Sequence, residues 1–267
     1  MADGKVVDMK YELTNESMIN AVGNKLFRIK ALVDIEEYGV KAGDLGGWIE
    51  KKKNLRQDGD AWVSGNAQVY DDAQVYDDAH VFGNAQVYCS AQVYGDACVS
   101  GAAQVYGDAC VSGAAQVYDD ACVSGAAQVY DDACVSGVAQ VYCYAQVFGA
   151  AKVFGNAQVC SSAQVYGDAC VSGDVWVSGS AKVSGSAWVS GDADYAVIKG
   201  FGTEYRPTTF FRCRDGEARV TCGCFYGTID EFREQVKRTR EGKVANEYLK
   251  IADLMEYHFK EDGEING

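Results

Sequence analysis

The sequence predicts a mainly β protein, a solenoid of short parallel strands with a β cap before it and a small α/β module after it. Three observations carry this. Valine recurs at every sixth position from Val63 to Val189, 22 times without a slip. Four residues after each valine stands alanine, from Ala67 to Ala193, with Val175 as the exception. Between them recur Gly-Asp, Asp-Asp, Gly-Asn and Gly-Ser, pairs that tolerate left-handed and bridge backbone conformations. A period of 3.6 would scatter positions six apart around a helix axis, so the pattern is not a helical stripe. Each hexad is then a short strand with an inward valine, followed by a corner whose crowded inner side admits only alanine.

The stretch AQVYGDACVSGA at 91–102 is followed at once by the same twelve residues. Twelve is a decoration, an alternation of QVY and CVS on the six-residue frame. The units VYGDAC and VSGAAQ resemble the hexapeptide repeat of left-handed parallel β-helices, in which an aliphatic residue leads and a small one stands fifth. The resemblance covers residues 63–194. It implies three hexads per circuit, hence about seven circuits stacked at roughly 4.8 Å into a rod about 35 Å long. Each hexad would then lie on the one three places later, with Tyr106 near Ser124 and Gln104 near Cys122. A two-hexad circuit would instead align Cys98, Cys110, Cys122 and Cys134 in one ladder.

A looser likeness covers YELTNE, KLFRIKALVDI and VKAGDLGGWIE before the solenoid and FFRCRDG, VTCGCFYGTIDEF and EYLKIADLMEYHF after it. These are similar to an uncharacterised bacterial and phage branch of the bacterial transferase hexapeptide superfamily. The likeness implies a cytoplasmic protein of a bacterium or a phage-infected cell, and makes a homotrimer plausible.

Solenoid ends expose strands that would pair with other chains, so caps are expected. Residues 1–60 read as the N-terminal cap, 61–198 as the solenoid and 199–267 as the C-terminal module. In the cap, Phe27, Ile29 and Ala31 alternate as in a strand. Leu45 falls 18 residues before Val63, which places GDLGGWIE at the start of an incomplete first circuit. Pro207, the only proline, marks the later boundary. Beyond it, TTFFRCRDGEARVTCGCF reads as a hairpin with a type I′ turn at Asp215-Gly216. Pairing outward from that turn puts Phe211, Cys213, Ala218, Val220, Cys222 and Cys224 on one face. Thr228 and Glu231 form a capping box opening a helix with Ile229, Phe232 and Val236 on its apolar side. A second helix follows, with Val244, Tyr248, Ile251, Met255 and Phe259 at helical spacing. The expected module is ββαα.

Charge divides the chain in the same places. Residues 57–205 hold 17 acids and 3 bases, so the net charge of −14 belongs wholly to the middle. That sign disfavours direct binding to nucleic acid or to an anionic membrane. No apolar run approaches membrane-spanning length, and MADGKVVDMKYELT offers no signal-like stretch. Eleven cysteines are an odd number and mostly occupy repeat positions, which favours free thiols over a disulfide framework.

Candidate chemistry is sparse. Many hexapeptide β-helix proteins are CoA-dependent acyltransferases with a histidine as general base, so the resemblance makes His80 a weak catalytic candidate. The frame carries no inserted loop of the kind such enzymes use to complete an acceptor pocket. Cys213, Cys222 and Cys224 are weak metal candidates without an evident fourth ligand; packed thiols are the plainer reading. The Asp pairs at 71/72, 77/78, 119/120 and 131/132 do not stack in one column of a three-hexad circuit, so turn chemistry explains them better than calcium does. No cofactor is expected. Two features remain. The first is the outward Tyr/Gln display, with Tyr70, Tyr76, Tyr88, Tyr94, Tyr106, Tyr118, Tyr130, Tyr142 and Tyr166, a residue type enriched at interfaces that also stabilises strands. The second is the acid, whose density along the rod is comparable to one charge per roughly 1.7 Å of DNA axis. The expected function is a non-enzymatic binding or scaffold protein with a protein partner, in the role of a phage factor that sequesters a host component. The alternatives are an acyltransferase and an acidic mimic of nucleic acid.

Overall fold

A computed structural model describes residues 9–260. Residues 1–8, where the leader-free reading begins, and 261–267 lie outside the described residues. The fold is a parallel β-solenoid followed by a small sheet with two helices. The chain divides into two compact units at Gly137/Val138.

In the first unit, β1 (Tyr11–Ile19) runs antiparallel to β2 (Lys25–Ala31), and β2 antiparallel to β3 (Leu45–Ile49). The other edge of β3 pairs in parallel with the solenoid, Trp48 with Gln68 and Ile49 with Val69. One strand thus converts the antiparallel cap into the parallel wall. From there each strand is two residues long and pairs with the strand eighteen residues on: Val69 with Val87, Val87 with Val105, Val105 with Val123. Cys110 lies between Gln92 and Gln128, and Gln104 lies beside Cys122. The circuit therefore holds three hexads, and the two-hexad cysteine ladder does not occur.

The repeat valines and the corner alanines up to Ala187 are fully buried, and only Ala193, past the last strand, is exposed. Main-chain groups are satisfied from circuit to circuit, as where Gln104 N–H donates to Ala121 carbonyl and Tyr106 N–H to Val123 carbonyl. No long hydrophobic side chain is needed, because backbone bonds hold the stack and valine fills the tube.

The strand positions make eight circuits, against the seven expected. The additional circuit is Ile49, Leu55 and Val63, which pair with Val69, Val75 and Val81. Its first two members sit twenty residues before their partners, because the segment between Leu55 and Val63 carries two extra residues around Gly59, at φ 70°. The eighteen-residue rule therefore misplaced Leu45. It pairs with Lys30 and is half-exposed, while Ile49 takes the inward place.

In the second unit the same stacking continues, Val141 with Val159 and Val159 with Val177, and ends at Trp188–Val189. A four-stranded antiparallel sheet follows, in the order Tyr195–Ile198, Thr208–Arg212, Ala218–Cys222, Phe225–Thr228. The expected ββαα module is thus ββββαα, with α1 at Ile229–Thr239 and α2 at Gly242–Phe259. Thr228 caps α1 as expected: its Oγ1 accepts from Glu231 N–H at 3.1 Å, and its own N–H donates to the Glu231 carboxylate at 2.8 Å.

The expected hairpin exists, but one residue out of register. Arg212 pairs with Ala218 and Phe211 with Arg219. A positive φ falls on Gly216 alone, so the turn is not type I′. Cys213 N–H bonds to Glu217 carbonyl and Gly216 N–H to Cys213 carbonyl, a turn with an added bulge residue. One extra residue exchanges the faces of one strand relative to the other. Phe210, not Phe211, joins Val220, Ala218 and Cys222 beneath the two helices. Thr209, Thr221 and Cys213 turn toward the last circuit, where Thr209 Oγ1 accepts from Lys182 N–H at 3.0 Å, Thr221 meets the Ser184 hydroxyl, and Cys213 bridges to Ala187. This face of the sheet covers the end of the tube.

Candidate interaction surface

Along each strand one residue points out, valine points in and the next points out again. Where two QVY hexads fall three places apart, their rings stack. Tyr70 and Tyr88 lie 5.1 Å apart, Tyr88 and Tyr106 4.9 Å, Tyr76 and Tyr94 4.9 Å, with interplanar angles of 3° to 10°. Each hydroxyl then reaches the outward residue sixteen positions on: Tyr76 to the Gln92 carbonyl oxygen at 3.0 Å and Tyr142 to that of Gln158 at 3.1 Å. Where that residue is cysteine, the thiol donates instead, Cys110 to Tyr94 and Cys134 to Tyr118, both at 3.5 Å. Burial pushes the Tyr88 phenol up to about 12, so it remains a donor at neutral pH.

Of the nine tyrosines, Tyr70 is buried, packed with Leu26 and Trp48 of the cap. Tyr76, Tyr88, Tyr94, Tyr106, Tyr118, Tyr130, Tyr142 and Tyr166 are half-buried. The display therefore offers ring edges and amide groups outward while the ring faces lie against neighbours.

His80 occupies a niche that the periodic pattern does not reveal. The short helical turn Glu36–Tyr38, carried on the long connection between β2 and β3, lays Tyr38 over the imidazole, with ring centres 4.2 Å apart. Phe82 flanks it at 4.6 Å, and Nε2 lies 2.9 Å from the Ser64 hydroxyl. Tyr38 is fixed in turn by donating to the Asp78 carbonyl. Burial lowers the His80 pKa to about 4. At neutral pH the ring is an uncharged, stacked side chain and a weak proton acceptor.

Beside this niche is an acidic column. Asp60, Asp78 and Asp96 occupy the same corner position in successive circuits, and Asp60 N–H donates to the Asp78 carboxylate at 3.1 Å. Glu37 joins them from the cap, so that one oxygen each of Glu37, Asp60 and Asp78 lies within 4.8 Å of the others. Loss of solvent and the Asp78, Asp96 and Asp60 carboxylates raise the Glu37 pKa. Lys10 is buried nearby, with Nζ donating to the Gly59 carbonyl at 2.9 Å, and desolvation lowers its pKa to about 8 despite the surrounding aspartates. Oxygen ligands of this kind suit a hard cation. The Asp pairs remain unstacked, but Asp78 of one pair aligns with the lone corner aspartates Asp60 and Asp96. The eighteen-residue spacing of Asp60, Asp78 and Asp96 carried that signal; nothing in the sequence announced Glu37, Tyr38 or Lys10.

The three candidate metal thiols are not brought together. Cys213 is buried on the face toward the solenoid, Cys222 lies half-buried toward the helices with Thr208 donating to it, and Cys224 is exposed at a turn. The slipped hairpin separates the first from the other two. All eleven cysteines are free.

Among the described residues no helix is long and apolar enough to cross a membrane. No curated protein is detectably similar to the chain. It is similar to the YdcK beta solenoid repeat, whose family model matches residues 73–88, 91–105, 103–117 and 163–179. Those segments coincide with the stacked hexads, and together with the parallel pairing they make the chain a β-solenoid repeat protein.

Proposed function

We propose that the chain is a non-enzymatic binding protein whose acidic solenoid surface holds a cationic protein partner. The observation that carries this is the column of Asp60, Asp78 and Asp96 with Glu37 beside it. Like charges at one-circuit spacing repel, and basic side chains of a partner would relieve that repulsion while their long-range attraction speeds encounter. The ring edges and amides of the Tyr/Gln ladders supply adaptable contacts beside the charge. The resemblance to bacterial and phage proteins adds a cytoplasmic setting, a homotrimer as the working assembly, and sequestration of a host component as the role.

The test is capture from bacterial lysate on immobilised protein at low salt, with native mass measurement of the assembly. A partner should be retained, should elute as salt rises, and should fail to bind the Asp60→Asn/Asp78→Asn/Asp96→Asn variant. Equal capture by that variant sinks the reading.

A second reading, an acidic mimic of nucleic acid, is favoured by the regular spacing of the carboxylates. It requires that added duplex DNA compete for the same partner. Acyl transfer is disfavoured by the His80 niche, where the imidazole is stacked, hydrogen-bonded and weakly basic. Calorimetric binding of acetyl-CoA, lost on His80→Ala, would restore it.

A further inference from the structure

The C-terminal module contains a cavity of about 250 Å³ that the reading above does not use. It opens between residues 203–206, the turn at Cys222–Phe225 and the end of α1. Phe225, Phe232, Val236 and Tyr248 form its apolar wall. Phe232 meets Tyr248 edge-on at 5.8 Å and Phe225 at 5.5 Å, which leaves aromatic surface facing the opening.

Arg206 and Arg240 stand at the mouth. Three other arginines of the module are neutralised at short range, while Arg214 packs over the Trp188 ring and Arg238 donates to the Gln235 side-chain oxygen. Arg219 lies 2.6 Å from both Asp215 and Glu217, Arg233 2.7 Å from Asp230, and Arg212 3.3 Å from Asp194. Arg206 has only Glu204 at 3.9 Å, with both side chains more than half exposed. Arg240 donates to the Thr239 carbonyl at 3.0 Å and has no carboxylate partner among the described residues. In a chain of net charge −14, two guanidiniums without a short carboxylate contact that line the same aromatic cavity are a specific arrangement. An anion here faces the terminal carbonyls of α1, whose dipole opposes it. Two forked, permanently charged donors outweigh that partial charge.

We propose that this cavity binds a small aromatic carboxylate, its ring against Phe225, Phe232 and Tyr248 and its carboxylate bridging Arg206 and Arg240. The volume is just below the roughly 300–1,000 Å³ of sites for drug-sized molecules, which matches a ligand of one ring.

Cys224, exposed at the mouth, reports occupancy, while Cys89 and Cys143, exposed at solenoid corners, serve as internal references. The experiment measures iodoacetamide alkylation of each cysteine by mass spectrometry in the full chain, alongside calorimetry, with phenylacetate as probe. Saturating phenylacetate should slow reaction at Cys224 severalfold and leave Cys89 and Cys143 unchanged. Neutral phenylacetamide should need about tenfold higher concentration, the difference expected for a lost charge-assisted contact. Arg206→Met/Arg240→Met should lose the protection, and both side chains are exposed, so the module's core is untouched. The proposal is overturned if phenylacetate gives no protection, if phenylacetamide or inorganic phosphate protects equally, or if the double variant keeps it.

Discussion

Val105 and Ala103 show what one hexad demands of its side chains. Both are fully buried, one filling the tube and the other the inside of a corner. Val105→Ala removes two methyl groups from a site that cannot collapse, because backbone bonds fix the circuits above and below; it should cost about 2 kcal/mol in urea unfolding. Ala103→Leu should cost at least as much, since the corner has no room for three more carbons. His80 makes a different kind of prediction. Its folded pKa of about 4 lies below the ordinary 6.5, so the unfolded chain takes up the proton first as pH falls. The stability tied to the neutral ring is fully present above pH 6.5 and is lost between about 6.5 and 4. An NMR titration of the imidazole should have its midpoint near 4, and His80→Gln should flatten the pH dependence of unfolding in that window.

At the scale of elements, the corner decides which residues the repeat tolerates. The first corner position takes a left-handed conformation from Gly65 through Gly185, whether it is Gly101 at φ 68° or Asp71, Asp77, Cys89 or Ser161 near 60°, and only Gly191, after the last strand, is extended. A methyl group added at Gly101 would lie 2.7 Å from the Asp119 backbone of the next circuit, whereas one at Gly179 meets nothing within 4 Å. Both Gly→Ala changes incur the left-handed penalty of roughly 1–2 kcal/mol, but only Gly101→Ala also pushes two circuits apart. Its loss of thermal stability should be clearly the larger. The inward valine, the corner alanine and the capped helix α1 were legible in the sequence, because each depends on residues close together or at a fixed period, whereas the three-hexad circuit came from the resemblance to hexapeptide β-helices. The hairpin register was not. Asp215-Gly216 suits two turn types, and the choice lay with Cys213, whose backbone bonds to Glu217 while it seats against the end of the tube.

At the scale of the molecule, charge is sorted by segment. The cap and the C-terminal module are close to neutral and the solenoid carries the acid, so electrostatic self-repulsion belongs to the repeats. Neutralising Asp60, Asp78 and Asp96 together should raise the urea midpoint at low ionic strength. That gain should shrink as salt is added, since these corners are open to solvent and screened within a Debye length of about 10 Å at 0.1 M. A gain that persisted at high salt would mean the carboxylates act through packing instead.

The sequence by itself determined the six-residue frame and the side chains that face inward, since periodicity is a property of the chain read in order. Only the tertiary structure decided that an eighth circuit forms around an eight-residue step from Leu55 to Val63, that Phe210 rather than Phe211 lies beneath the helices, and that Tyr38 covers His80. Each of those outcomes rests on contacts between segments with no periodic relation, where one extra residue or one flexible connection changes which side chains meet.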